Sequence, residues 1–358
     1  MRPLVATVDL AALRHNYQLA RQCGPGRQAF AVVKANAYGH GVARVVETLR
    51  PLADGFAVAS LEEALQVRDV APHARLLLLE GCFEPDEYAL AAQHGLDVAV
   101  QGDEQARWLL AAKLDRPLNV WLKLDSGMHR LGMDASSVRR WHARLAEAEQ
   151  VAELNLMSHF ACADERGHWL NDRQLECFAS LVDLPFTHRS LANSAATLTL
   201  PAAHQDWLRP GIMLYGASPF AELSAETLGL RPVMTLTSRI IAVRELAPGE
   251  TVGYGATWRS ERKARIGTVA CGYADGYPRT APVGTEVVVR GRRVPLAGRV
   301  SMDMLAVDLT DLPEAGMGDE VELWGAQVTI DELAQACGTI GYELLTKVTA
   351  RVPRHYRS

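Results

Sequence analysis

The sequence has no CxxC pair, no long apolar run and no block of basic charge. Each absence closes a class of function. The six cysteines, at positions 23, 82, 162, 177, 271 and 337, are scattered, as expected of reduced thiols in a cytoplasm rather than a disulfide framework. His159 and Cys162 have a ligand-like spacing, but no second pair exists to complete a site, so no metal is expected. No stretch approaches the length of a membrane span. The opening MRPLVATVDLAALRHN has an aspartate at position 9 and no apolar core, so no secretory signal is expected. With a net charge of −5, nucleic acid is not an expected partner. Internal repeats and low-complexity tracts are also missing. What is present is an ordinary globular composition, 48% hydrophobic and 22% charged over 358 residues, enough for two domains.

Within it, FAVVKANAYGHG at residues 30–41 changes character abruptly. Phe30, Ala31, Val32 and Val33 read as a buried strand. The strand ends on Lys34, and a run of small and polar residues follows. A lysine at the end of a buried strand is partly desolvated, which disfavours its charge and makes its amine nucleophilic near neutral pH. That suits covalent attachment to a carbonyl. A strand closing on a solvated lysine is the plainer alternative.

Taken in order, Asp9 can cap a helix over 10–21. From there a rhythm sets in. Apolar runs at 30–34, 56–59, 76–79, 96–100, 120–124, 154–157, 188–191 and 211–214 alternate with helix-like stretches. Alternation of this kind implies a parallel sheet. Eight units fit a closed (β/α)8 barrel of the TIM type, with a doubly wound open sheet as the alternative. After about Leu230 strand-like runs at 234–243, 250–257, 264–270, 286–289, 304–309 and 320–323 are separated by turns. They read as a mainly antiparallel β domain. The expected domains are therefore 1–230 and 231–358. The scattered histidines at 15, 73, 94 and 142 are read as surface residues, and Trp108, Trp141 and Trp169 as packing on helices.

A barrel places function at the C-terminal ends of its strands. Lys34 follows the first expected strand. Lys123, Asp125 and Arg130 follow the fifth, His159 the sixth, Asn193 and Ser194 the seventh, and Tyr215 and Gly216 the eighth. Late barrel strands often supply a phosphate site. Asn193 and Ser194 offer a hydroxyl and a helix start, and Arg209-Pro210-Gly211-Ile212 offers a glycine backbone beside an arginine. A lysine able to form an imine plus a phosphate cradle points to pyridoxal phosphate, although Asn193-Ser194 alone reads as a plain helix cap.

The segments AVVKANAYGHG, LKLDSGMHRLG, MSHFACAD, RPGIMLYG, VGYGATW, CGYADGYPR, GRVSMDM and RVPR occur in that order. Together they resemble the signature segments of the alanine racemase family, pyridoxal 5'-phosphate enzymes of fold type III, across both domains. The resemblance implies interconversion of L-alanine and D-alanine, supplying or consuming D-alanine, in a homodimer with shared active sites. It implies that Lys34 holds the cofactor and acts as one base, and that Tyr254 from the second subunit is the opposite base. His159 and Arg209 would assist Tyr254, with Arg209 facing the pyridine nitrogen. Tyr38, Ser194, Gly211 and Ile212 would hold the phosphate. Arg130 would meet the phenolic oxygen and the substrate carboxylate, and Met302 of the partner would line the substrate site. Lys123 matches a lysine that is carbamylated in several members.

One departure stands out. Many members carry a tyrosine immediately before RVPR, where this chain has Ala350. A phosphate partner is then missing, or another tyrosine such as Tyr342 replaces it. The alternatives to the specific racemase are a broad-specificity racemase, a fold type III decarboxylase and a non-catalytic carrier of the cofactor. The decarboxylase is disfavoured by Arg209, and the carrier by the second domain.

Overall fold

The computed structural model describes residues 2–358. Seven strands pair in sequence order, each parallel to the next: Gln28–Val32, Gly55–Val58, Leu76–Leu78, Asp97–Val100, Leu118–Lys123, Val151–Met157 and Arg189–Ser190. An eighth, Trp207–Leu208, pairs parallel with the first. The ring closes through two backbone bonds of 3.0 Å, from the Asp206 amide to the Arg189 carbonyl and from the Arg209 amide to the Ala192 carbonyl. The result is the expected (β/α)8 barrel. The helices follow their apolar spacing. Val42–Leu49, for example, buries Val42, Val45, Val46 and Leu49, one face of a 3.6-residue period.

The barrel interior is filled. Phe30 stacks on Trp207 with ring centroids 4.0 Å apart, and Trp121 meets Phe30 edge-on at 5.8 Å. The Trp121 indole donates to Asp97 at 2.9 Å. Asp97 in turn pairs with Arg75 at 2.8 Å, so the buried carboxylate is both neutralised and hydrogen-bonded.

The chain divides into two compact units. The barrel unit is Arg14–Ala37 with Gly41–Leu214, and the other is Met1–Leu13, Tyr38–His40 and Tyr215–Ser358. The second unit is built on a largely antiparallel sheet. Its strands run in the order Arg292–Pro295, Glu286–Val289, Glu320–Trp324, Met234–Leu246, Val5–Asp9 and Arg354–Arg357. Met234–Leu246 is long enough to serve two partners. Leu236–Arg239 pairs with Glu320–Trp324, and Ile240–Leu246 pairs with Ala264–Val269, with a register shift between Ile240 and Ala242.

Several strand expectations need correction. Residues 211–214 are not the eighth strand. Ile212–Tyr215 is a 3-10 turn, apolar because it is fully buried, and an apolar run alone does not separate the two cases. The true eighth strand is two residues long and shows no pattern. Val5–Asp9 lies in the second sheet, pairing with Met234–Leu246 and Arg354–Arg357, although it precedes the barrel in sequence. Finally, 250–257 is not one strand. Thr251–Val252 and Trp258–Arg259 form a hairpin whose tip is the 3-10 turn Tyr254–Ala256. Two further helices, Ile330–Ala336 and Gly341–Thr346, complete this unit.

Candidate active site

Lys34 opens the short helical turn Lys34–Tyr38, two residues past the first barrel strand. The turn is left-handed. Ala35, Asn36, Ala37 and Tyr38 have φ of 52°, 54°, 53° and 51°, a conformation that costs about 1–2 kcal/mol per residue for L-amino acids. Specific bonds hold it within the barrel unit. Glu63 accepts the Ala35 amide at 2.6 Å and the Ala59 amide at 2.9 Å. The Asn36 side chain accepts the Val42 amide at 2.8 Å.

Around the same barrel mouth stand three more cationic side chains and a histidine. Lys123 is the last residue of its strand and is buried. Its ammonium donates to the Leu79 carbonyl at 3.1 Å. Burial, then Arg209 and Arg130, push its pKa down to about 8. Arg130 is exposed on the loop after this strand. That loop is folded by Asp125, which accepts the Gly127 and His129 amides at 3.0 Å. The Met133 amide bonds back to Lys123 at 2.9 Å. Gly132 permits the return: at φ +118°, an added Cβ would sit 2.6 Å from the Asp125 nitrogen.

Arg209 is buried. It donates to the Ser190 hydroxyl, and to the Ser158 carbonyl at 2.5 Å. Burial lowers it to about 10, so it stays protonated at neutral pH. His159 is held by its carbonyl, which accepts from Gln174 at 2.9 Å. Burial, reinforced by Arg209, Arg130, Lys123 and Lys34, keeps its pKa well below the usual range, so its ring is neutral. Ser194 begins the helix Ser194–Thr199, capped by the Asn193 side chain. The Ser194 hydroxyl accepts the Gly211 amide at 2.8 Å and the Met213 amide at 3.4 Å, leaving its own proton to donate. Ile212 follows on the same buried turn. A neutral histidine among four cations and a buried hydroxyl donor form a set suited to a dianionic phosphate ester carrying a carbonyl group.

The remaining expected site residues belong to the second unit. Tyr38 is buried and stacks on Tyr215 with centroids 4.7 Å apart. Tyr342 lies 6.1 Å from Tyr38 at a tilt of 47°, while Ala350 is exposed. Tyr254 stands at the tip of its hairpin, 68% exposed. Met302 is also exposed, and so are Tyr273 and Met304. The amides of Tyr273 and Ala274 bond the carbonyls of Ser301 and Met302 at 3.0 Å, and the Ser301 amide bonds the Met304 carbonyl at 2.9 Å, so Tyr273, Met302 and Met304 share one surface. A cleft of about 380 Å³ lies nearby, lined by Thr257, Arg279, Thr280 and Arg299 among others. Sequence reasoning missed those two arginines, and also Glu63 and Gln174. They lie on helices and turns whose patterns carry no chemistry of their own.

The barrel with a lysine just past its first strand, the cation-lined mouth and the largely antiparallel second unit match the architecture that the sequence resemblance implied, that of fold type III lysine-dependent enzymes. The sequence comparisons are more specific. Residues 8–219 match the family model "Alanine racemase, N-terminal domain" and residues 233–356 match "Alanine racemase, C-terminal domain". The alanine racemase of Stutzerimonas stutzeri is 73% identical over 99% of both chains. The crystal structure of the biosynthetic alanine racemase of Pseudomonas aeruginosa superposes with a TM-score of 0.99 at 69% identity, covering 100% of both chains. That of Bartonella henselae, with covalently bound pyridoxal phosphate, has a TM-score of 0.89 at 29% identity, again over 100% of both. The chain belongs to the alanine racemase family, a pyridoxal-phosphate-dependent family, and its reaction is the interconversion of L- and D-alanine.

Proposed function

We propose that the reaction runs by a two-base mechanism in sites shared between two copies of the chain, with Lys34 and Tyr254 as the bases. The observation that carries it is the placement of Tyr254. It is the exposed tip of a hairpin, as expected of a group completing a neighbour's site. When bound, pyridoxal phosphate supplies the electron sink that acidifies the α-hydrogen of alanine. Lys34 holds the cofactor covalently and moves the proton on one face. Tyr254 moves it on the other. A phenol has an ordinary pKa of about 10, so Tyr254 works as a base only with help. Neutral His159 is able to relay a proton, and buried Arg209 to steady the relay. Arg209 only donates, so opposite a ring nitrogen it leaves that nitrogen unprotonated. Ser194, Tyr38 and the backbone at Gly211 and Ile212 hold the phosphate, with Tyr342 beside Tyr38 taking the part that Ala350 lacks. Arg130 orients the substrate carboxylate, and Met302 of the partner lines its pocket.

Lys123 is a candidate for carbamylation. Its depressed pKa leaves an appreciable neutral amine fraction near pH 7, the form that adds carbon dioxide. The carbamate would turn a cation that repels Arg130 into an anion that orients it. Density ending at the ammonium in crystals grown with bicarbonate would refute this. The scattered free thiols favour the cytoplasm as the working compartment.

The test of the mechanism uses alanine enantiomers in deuterated water. Tyr254→Phe is expected to abolish inversion while retaining α-hydrogen exchange in one enantiomer. Lys34→Ala should lose both. Full racemisation by Tyr254→Phe would exclude Tyr254 as a base. Comparable turnover of L-serine, L-lysine or L-arginine by the wild type would show that its specificity extends beyond alanine.

A further inference from the structure

The left-handed turn after Lys34 is intrinsically costly, and bonds inside the barrel unit hold part of it. The turn's last residue, Tyr38, and the two that follow, Gly39 and His40, are gripped by other elements of the second unit. The Arg354 guanidinium donates to the Gly39 carbonyl at 2.7 Å. The Tyr356 hydroxyl donates to the His40 carbonyl at 3.1 Å. Both come from the last strand, Arg354–Arg357, which is itself locked in the sheet beside Val5–Asp9. Tyr215 lies between the Tyr38 ring at 4.7 Å and the His40 ring at 4.6 Å. The His40 ring nitrogen Nδ1 is 2.8 Å from the Tyr38 carbonyl. Gly39 completes the fit. At φ +81° an added Cβ would lie 2.1 Å from the Leu345 carbonyl oxygen. Backbone carbonyls and both rings are thus fixed, with Tyr38 at the end of a strained segment.

We propose that Tyr215, Arg354 and Tyr356 are positioning residues that fix Tyr38, and through it the phosphate end of the cofactor. The C-terminal strand of the chain thereby sets cofactor affinity from outside the barrel. This rests on the assignment of Tyr38 to the phosphate.

The test measures equilibrium binding of pyridoxal phosphate and of unphosphorylated pyridoxal to the full-length apoenzyme, by visible absorbance. Tyr356→Phe removes one hydroxyl and one neutral hydrogen bond, which corresponds to about a two- to ten-fold loss. That loss is expected for pyridoxal phosphate and not for pyridoxal. It should vanish in a Tyr38→Phe background. Tyr215→Leu, which removes the stacked ring, should behave likewise. Equal weakening of both ligands would mean a general structural role and overturn the proposal. So would unchanged binding by Tyr356→Phe and Tyr215→Leu when Tyr38→Phe selectively loses the phosphorylated ligand, an outcome that leaves the phosphate assignment intact. If Tyr38→Phe shows no such selectivity, the phosphate assignment itself fails.

Discussion

At the scale of single residues, the barrel mouth concentrates positive charge that the fold itself does not want. Lys123 is the clearest case. Its folded pKa of about 8 lies below the ordinary lysine value of 10.5. A depressed base pKa means the unfolded chain binds more protons between those two values, so stability rises with pH across that window. Below pH 8 both states are protonated and the full penalty remains, about 3 kcal/mol at 1.36 kcal/mol per pKa unit. In carbon-dioxide-free buffer, urea unfolding of apo Lys123→Met should therefore show it more stable than the wild type by about that amount at pH 7. The gap should close by about pH 10.5. A gap that does not change with pH would mean that the ammonium is not the source. Arg209 carries a different prediction. If Arg209 faces the ring nitrogen as proposed, replacing it with glutamate would put a proton donor there and strengthen the electron sink. Arg209→Glu is expected to racemise more slowly and to release more pyruvate per turnover by transamination. If the pyruvate fraction is unchanged, Arg209 has no part in fidelity.

At the scale of elements, the surface carrying Met302 depends on one buried carboxylate. Asp275 is fully buried. It takes both Arg2 nitrogens at 2.5 and 2.6 Å, Arg351 at 3.0 Å and the Gly272 amide at 2.9 Å. Arg351 also reaches Asp303 at 2.6 Å. These bonds hold the turn at 272–276 under Ser301 and Met302. Asp275→Asn removes the charge between two guanidinium groups. It should cost about 3 kcal/mol in chemical denaturation, within the usual range for breaking a buried pair. If Met302 lines the substrate pocket as proposed, loosening the turn should raise KM for alanine more than it lowers kcat; a stability loss with unchanged KM would detach this network from that pocket. Arg2 and Asp275 are far apart in sequence, and nothing in either segment announces the pairing. Legibility followed that divide. The barrel's rhythm, the helix cap at Asp9, where the Ala12 amide donates at 2.8 Å, and the lysine at the first strand's end are local patterns. The place of Val5–Asp9 in the second sheet, the two-residue strand Trp207–Leu208 and the contacts of Gln174 and Glu63 are set by tertiary pairing. His142 shows the same limit. Read as a surface residue, it is buried with its ring edge-on to Phe186 at 4.7 Å. Trp169, expected to pack on a helix, is 62% exposed.

At the scale of the whole molecule, the question is which chain supplies each base. Lys34 belongs to the barrel unit and Tyr254 to the other. Two copies related by a twofold axis place the same surface against its counterpart. Exposed Tyr254, and the exposed Tyr273, Met302 and Met304, are the kind of large side chains such an interface buries. If each site takes its lysine from one copy and its tyrosine from the other, two dead variants should rescue one another. A dimer of one Lys34→Ala chain with one Tyr254→Phe chain has one site with both bases intact and one with neither. Random reassortment of equal amounts makes about half the dimers mixed, so about a quarter of wild-type activity should return. If both bases came from the same chain, every site in the mixture would lack one of them and no activity would return. The measurement is racemisation before and after co-refolding the two inactive variants. Rescue near a quarter also excludes slow leakage from either parent, because leakage would not depend on mixing.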